Sequence, residues 1–539
     1  KEYPDFAGQI AIHHSSIDRE LRIWIEENLS SGYLKAAIST SSLDLGVDFK
    51  PVDTVIQIGS SKGVARFLQR AGRSGHSPFE TSKIYFVPTH SLELIEVSAL
   101  KEAVKQKVIE PRIPQVMTFD VLVQFIMTLA VGDGFEEKKL FKQIKNTFAF
   151  REISEEEWMS LLQFITIGGG ALKNYQEYHK VVIENGIYKV TNRRIAMLHR
   201  MNVGVIVSDA MMKVKFVSGG YIGMIEEYFI TRLKPEDKFI LAGRVLEISH
   251  IKEMTVYVRN AKGKAQIPSY LGGRLPLTSY LSQFLRLKLS DSLQAKSSEK
   301  ELKFLHPLLV NQEENSHIPK DDEFLVEMIE TRDGQHLFMY PFEGRLIHEV
   351  MSALIAFRIS KITPISFSMA MNDYGFELLS SQEIPINQEN LKKILSKENL
   401  IQDVLSSVNA TEMARRKFRD IAVISGMVVQ NYPGLQKNNK SLQASSGLIF
   451  NVLEDYNPEN LLLKQAYTEV FNQQIDEHRL MEAFKRIENS KIILKFANAF
   501  TPLSFPIKVD SLRQSLSSED LDARILRLQN ESMKKNKKR

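Results

Sequence analysis

Between residues 9 and 106, short apolar runs alternate with stretches whose apolar side chains recur at helical spacing. The runs 9–13, 35–40, 54–58 and 83–87 predict strands, and 17–29, 63–72 and 91–106 predict helices. Strands alternating with helices specify a parallel, doubly wound sheet. No strand signal precedes residue 9, so this sheet reads as cut at its N-terminal side. From about 111 to 198 the pattern turns helical, with helices expected over 119–131 and 136–147. Ser154 opens a third helix with Glu157 three residues on, a capping box, and Trp158, Leu161, Leu162 and Ile165 form its apolar face before the glycines at 168–170 end it. Asn185-Gly186 at the centre of 181–190 predicts a hairpin with a type I′ turn, and three helices followed by a hairpin predict a winged helix. Residues 200–260 alternate as strands over 203–207, 214–217, 239–242 and 255–259, which predicts a β-rich barrel or sandwich. Helical spacing returns over 281–289, 346–360, 388–395, 409–425, 460–474 and 478–488. The expected fold class is multidomain, α/β and α+β.

Composition narrows this picture. The 539 residues correspond to about three to four domains of ordinary size. Hydrophobic residues make up 43% and charged residues 25%, which excludes a disordered or collagenous chain. With 70 Lys+Arg against 65 Asp+Glu the formal charge is +5, so any attraction to nucleic acid has to come from local patches. The chain has no cysteine, which excludes a disulfide framework, a thiolate zinc site and a Cys nucleophile, and suits a reducing cytoplasm. No apolar run reaches membrane-spanning length and the first residues lack a signal-peptide core; the reading is a soluble, unexported, cytoplasmic protein without a membrane partner. Lys1 in place of a methionine, close to a first strand, reads as a fragment boundary. The basic run Lys534, Lys535, Lys537, Lys538 and Arg539 reads as a solvated or disordered end, with a phosphate-binding arm as the alternative.

Two segments carry chemistry. Residues 38–49, ISTSSLDLGVDF, follow a predicted strand; there the backbone amides and the hydroxyls of Thr40 and Ser41 can face a phosphate, and Gly46 permits close backbone approach. Residues 69–76, QRAGRSGH, place Arg70 and Arg73 three apart at a helix end, with Gly72 and Gly75 leaving the surface bare. A guanidinium fork matches phosphate oxygens and stays charged at any working pH. Each segment alone also fits an ordinary capped loop or a solvated helix face. In this order, within one α/β unit, they point to phosphate chemistry.

Together with His13-His14-Ser15-Ser16 before a helix, these segments resemble the second RecA-like lobe of superfamily 2 helicases, in the wording of Lhr-type enzymes. The segments 267–277 (IPSYLGGRLPL), 341–348 (PFEGRLIH), 370–376 (AMNDYGF) and 442–446 (LQASS) resemble the C-terminal region of bacterial ligase-associated DEXH-box helicases. This resemblance spans nearly the whole chain. It implies a partial RecA-like lobe with a parallel sheet over 1–108, a winged helix over 109–199, an Lhr-type DEAD/H-associated C-terminal domain over 200–529, and a basic tail over 530–539. The implied activity is that of an ATP-dependent helicase and ATP hydrolase of DNA repair, moving 3′ to 5′ along single-stranded DNA with ATP and Mg²⁺ as cofactors. Single-stranded DNA, a duplex with a single-stranded tail or an RNA–DNA hybrid would be its partner, alongside an ATP-dependent DNA ligase and a nuclease. The resemblance further implies that Gly46, Asp48, Gln69, Arg70 and Arg73 face ATP, with Arg73 as an arginine finger beside Arg70 and Gln69. It places His14, Ser16, Thr40 and Ser41 on the nucleic-acid strand. Many superfamily 2 enzymes end the second motif in Arg; His76 stands here and reads as structural.

No G-x-x-x-x-G-K-[ST] occurs in the sequence and no DExH box follows a strand, so this chain alone is expected not to hydrolyse ATP. Glu155, Glu156, Met159, Ser160 and Gln163 offer no basic side chain on the third helix of the winged helix, which makes that helix a scaffold rather than a base reader. Tyr270 with Arg274 offers a ring for a base and a guanidinium for a phosphate, or equally a buried Tyr at a tight turn. Arg345, His348, Asn372 and Asp373 lack a second ligand set and read as structural hydrogen bonders, so no metal site is expected. The rival reading is a stand-alone nucleic-acid-binding or partner-docking module without ATPase activity.

Overall fold

The computed structural model describes residues 6, 8–14, 17–44, 52–75, 80–111, 114–205, 207, 211–226, 230, 235–241, 244–252, 255–262, 276–292, 299–407, 410–432, 435–436, 439–514 and 521–536. The chain divides into two compact units, each drawn from three stretches. Lys1–Leu43, Arg112–Gly273 and Ala410–Phe471 form one; Asp44–Pro111, Arg274–Asn409 and Asn472–Arg539 form the other.

In the first unit the strands Ile10–His13 and Ala36–Ser39 pair in parallel, with Ile10 opposite Ala36, around the crossover helix Arg19–Ser30. The helix starts at Asp18, whose carboxylate accepts the Glu20 N–H. Helices Phe119–Val131, Glu137–Lys145 and Glu155–Ile167 and a small sheet in the order Phe135–Glu136, Ile187–Lys189, Val182–Glu184 make the winged helix. Its capping box is present as expected: Ser154 Oγ accepts the Glu157 N–H at 3.1 Å and Glu157 Oε2 accepts the Ser154 N–H at 2.9 Å. The winged helix is joined to the later helices of the unit through a buried pair, Gln465 Oε1 taking the Asp120 N–H at 3.0 Å and Gln465 Nε2 donating to Asp120 Oδ1 at 2.7 Å.

Two expectations are corrected here. The run 203–207 is not a strand in its described residues; it follows the helix Arg193–Asn202, and the Gln124 amide takes both the N–H and the carbonyl of Gly204. With those groups satisfied by a side chain, the apolar run has no ladder to join. The β-rich segment is also not a closed barrel among the described residues. Its five strands form an open sheet in the order Lys238–Leu241, Arg244–Lys252, Thr255–Asn260, Met211–Phe216, Tyr221–Glu226, with the first and last left as edges. Alternate residues Val214, Ile225, Phe239, Leu246, Ile248, Val256 and Val258 build a core on one face, which satisfies the alternation without closure.

In the second unit Val55–Ile58 and Ile84–Val87 pair in parallel, flanked by the helices Val64–Ala71 and Glu93–Lys105. Ile56, Ile58, Tyr85 and Val87 are exposed, although parallel strands are normally covered on both faces. A five-stranded mixed sheet follows in the order Ser368–Met371, Phe376–Ser380, Gly334–Met339, Glu323–Thr331, Lys491–Ala497; only its last pair is parallel. One apolar core joins Val64, Leu92, Ile95 and Ala99 of the parallel layer to Leu277, Leu281, Leu285, Leu305, Leu325 and Phe338. Each of these buried leucines stabilises the fold by about 1.5–3 kcal/mol. No helix among the described residues is long and apolar enough to cross a membrane.

Candidate functional site

The residues singled out in the sequence fall in both units. In the first, the strand Ile10–His13 delivers His13 to a buried position, where its ring contacts Ser42 Oγ at 2.8 Å and Glu26 Oε1 at 3.0 Å. Ser42 Oγ also donates to the His13 carbonyl at 3.1 Å, and Thr40 N–H to the same carbonyl at 3.3 Å. The loop after Ala36–Ser39 is therefore tied back onto the neighbouring strand, and Thr40 and Ser41 stand exposed on it. His14 follows His13 in the half-buried class; burial, then the charges of His13 and Arg22, hold its imidazole below its ordinary pKa. Ser16, Gly46, Asp48, His76, Tyr270 and Arg274 lie outside the described residues.

In the second unit, Val64–Ala71 carries Gln69 and Arg70, and Arg73 follows its last turn. Arg70 is fixed from two sides. Its Nε and Nη2 both donate to Asp44 Oδ2, at 2.9 and 2.7 Å, and its Nη1 donates to Gln57 Oε1 at 2.8 Å. Hydrogen bonds to charged partners contribute about 1.5–3 kcal/mol net, so this guanidinium is held rather than wandering. Arg73 Nη2 donates to the Asp44 backbone carbonyl at 2.8 Å, and the Arg73 carbonyl accepts the Val52 N–H at 3.1 Å. Gln69 is exposed at the same helix end. Arg70 and Arg73 are thus brought together on Asp44, a residue of the other motif.

Asp44 and Gln57 were not singled out in the sequence. The available signal was a carboxylate inside ISTSSLDLGVDF and one amide, Gln57, in the otherwise apolar strand Val55–Ile58, buried to 7% exposure. Polar groups at such positions are placed for a partner.

A nucleotide phosphate fits this donor set in part. Arg70 spends its donors inside the protein, which makes it the organiser of the cluster, while Gln69 and Arg73 sit at the end of the helix. The described residues contain no group of three or more acidic or histidine side chains arranged to hold a metal ion. Arg345, His348, Asn372 and Asp373 make hydrogen bonds within the fold. His348 Nδ1 bonds the Asn372 carbonyl at 2.7 Å, His348 Nε2 accepts the Glu343 N–H at 3.0 Å, and Asp373 Oδ1 accepts the Arg345 N–H at 3.1 Å. Burial drives the His348 imidazole down to a pKa of about 4.

Three family models match the chain: the helicase conserved C-terminal domain over residues 5–77, the winged helix domain of the large helicase-related protein over 102–268, and the DEAD/H associated domain over 318–504. ATP-dependent helicase Lhr-Core protein 2 of Thermococcus barophilus is 28% identical over 96% of this chain and 62% of its own length. ATP-dependent helicase Lhr-Core of Sulfolobus acidocaldarius is 30% identical over 90% of this chain and 57% of its own length. The chain thus spans about three fifths of these curated relatives. The solved structure of the Mycobacterium smegmatis helicase Lhr bound to ssDNA and AMP-PNP shares the fold, with a TM-score of 0.68 at 20% identity over 92% of this chain and 61% of that one. The chain thus carries the helicase conserved C-terminal domain, the Lhr winged helix domain and the DEAD/H associated domain, and over nearly its whole length it is similar to the C-terminal part of Lhr-type helicases.

Proposed function

We propose that the chain supplies the second motor lobe and accessory domains of an ATP-dependent helicase that translocates on single-stranded DNA. The observation that carries this reading is the helix Val64–Ala71, which ends on two guanidiniums, one of them locked by Asp44 and Gln57. Arg73 then stabilises the charge that develops on the transferred phosphoryl group, with Gln69 and Arg70 beside it and Gly46 and Asp48 on the same nucleotide. A flexible, strongly hydrated Lys does this job less well. His14, Ser16, Thr40 and Ser41 meet the phosphates of the tracking strand, where hydroxyls and backbone amides grip without base preference. Tyr270 and Arg274 stack and neutralise one nucleotide further along it.

The phosphate-cradling loop and the Mg²⁺ ligands belong, in this reading, to another part of the full-length protein. The exposed Ile56, Ile58 and Tyr85 support that assignment as an apolar face awaiting cover. Movement is 3′ to 5′, the setting is DNA repair in the cytoplasm, and a DNA ligase and a nuclease are the protein partners. In the full-length protein, Arg73→Ala is expected to abolish DNA-stimulated ATP hydrolysis while ssDNA affinity stays within about twofold, an arginine finger being worth about 10³–10⁵ in turnover. Wild-type turnover in that variant refutes the assignment.

A further inference from the structure

The helix that carries Gln69 and Arg70 begins at Gly63, which has no side chain to cap it. Its first amides would be orphaned in a half-buried setting. They are met from far along the chain: Glu110 Oε1 accepts the Val64 N–H at 2.6 Å and Glu110 Oε2 the Ala65 N–H at 2.7 Å. The same Oε1 accepts the Thr278 hydroxyl at 2.7 Å. Thr278 is itself the N-cap of Ser279–Asp291, yet its side chain makes no capping bond to that helix. An N-cap Thr ordinarily turns its oxygen to its own helix; here the hydroxyl points to Glu110 instead.

The join is tightened by backbone. Thr278 N–H donates to the Lys62 carbonyl at 2.9 Å, and a Cβ on Gly63 would lie 2.9 Å from Thr278 Cγ2, so a larger residue at 63 would have to push the two segments apart at this point. Burial pushes the Glu110 carboxyl up, but the amides of Ala65 and Val64 and the Thr278 hydroxyl outweigh it and hold it below its ordinary range. The carboxylate therefore sits ionised at the positive end of the helix. Lys62, on the turn before the helix, is anchored by Glu96 and Asp373, each at 3.0 Å. The helix is held at its start by Glu110 and at its end by Asp44.

We propose that Glu110 and Thr278 are positioning residues for ATP hydrolysis, fixing the helix that presents Gln69, Arg70 and Arg73 and tying it to the helix Ser279–Asp291. This rests on the reading of Arg73 given above. A helix of this length is about 12 Å of rigid rod, so displacement at its start is carried to its end. A misplacement of about 1 Å at a reacting centre costs up to about a hundredfold in rate.

The test is steady-state kinetics on the full-length protein, with ssDNA affinity and thermal melting measured on the same samples. Glu110→Gln replaces one acceptor by an N–H₂ that faces an amide donor; Thr278→Val keeps the shape of Thr278 and removes only its hydroxyl. Both are expected to lower kcat about ten- to a hundredfold with KM for ATP and ssDNA affinity unchanged, and Glu110→Asp to restore part of the loss. Wild-type kcat in both variants, with Arg73→Ala inactive, overturns this inference and leaves the arginine reading standing. Loss of kcat only in step with lost ssDNA affinity and a lower melting temperature also overturns it, as the mark of a purely structural role. An active Arg73→Ala refutes the underlying reading instead.

Discussion

Glu343 is the most exposed to a quantitative test because it is one carboxylate among three guanidiniums. It is buried to 5% exposure. Arg286 Nη1 donates to its Oε1 at 2.6 Å, Arg486 Nη2 to the same oxygen at 3.3 Å, and Arg479 Nε to Oε2 at 3.2 Å. The arginines hold other groups as well: Arg479 reaches the Leu277 carbonyl and Ser282 Oγ, and Arg486 reaches the Pro341 carbonyl. Replacing Glu343 by Gln keeps the volume but leaves three positive charges facing a neutral amide. Removing one partner of a buried pair costs about 3–5 kcal/mol. At about 2–4 °C per kcal/mol for a domain of this size, the melting temperature should fall by about 6–20 °C. The control is Glu459→Gln, which breaks only the exposed pair with Lys464 and should cost less than about 1 kcal/mol.

The pH dependence has a definite sign. Burial pushes the Glu343 carboxyl up, but Arg286, Arg479 and Arg486 outweigh it and hold the folded pKa below the ordinary value. A depressed carboxylate contributes stability that is present above its unfolded pKa, about 4.3, and lost as pH falls through the folded value. The gap between wild type and Glu343→Gln should therefore hold from pH 7 to 5 and close at lower pH. Differential scanning calorimetry across that range is the assay. A Glu343→Gln protein that melts within about 1 °C of wild type at pH 7 refutes the argument, since the estimate starts at about 6 °C.

Two further outcomes are expected. Lys180 lies against the Gly426 carbonyl at 2.7 Å, near Glu177 and His199, and burial lowers its ammonium to a pKa of about 8. Because the folded state disfavours the charged form, Lys180→Met should raise the melting temperature at pH 7, with the advantage shrinking between pH 8 and 10.5; a constant gap contradicts this. Trp158, 2% exposed and stacked on Phe141 with centroids 5.6 Å apart, should cost about 3–5 kcal/mol as Trp158→Ala in a denaturant melt. Among the described residues its Nε1 has no hydrogen-bond partner, so Trp158→Phe should cost clearly less, and equal losses would show that packing is not the cause.

What was legible in the sequence was local. The capping box at Ser154 and Glu157 stands as read, and Asn185 and Gly186, with φ of 53° and 80°, adopt the left-handed pair that a type I′ turn demands. The helix Val64–Ala71 falls within the predicted 63–72. The central sheet of the second unit was missed because its pattern is not local. Glu323–Thr331 carries Glu327 in mid-strand, which breaks the apolar run, and the carboxylate is satisfied by groups more than ten residues away, among them Tyr340, Gln312 and Thr501. Its parallel partner, Lys491–Ala497, comes from the last stretch of the chain. The same holds at the candidate site. Arg70 and Arg73 were visible as a motif, whereas Glu110 has no local signature, since its partners Val64 and Ala65 lie 46 and 45 residues away. The sequence left barrel and sandwich open because alternation reports one buried face and says nothing about whether the edges meet; in the described residues they do not.

Arg73 has to reach the nucleotide when it is bound if it acts as proposed. The direct measurement is a structure of the full-length protein with ssDNA and a non-hydrolysable ATP analogue. The account predicts the Arg73 guanidinium within hydrogen-bond distance of the γ-phosphate, about 2.7–3.2 Å, with Arg70 still on Asp44 and Gln57. A nucleotide bound with Arg73 turned away from the γ-phosphate, and no group of residues 69–73 in reach of it, contradicts the central claim.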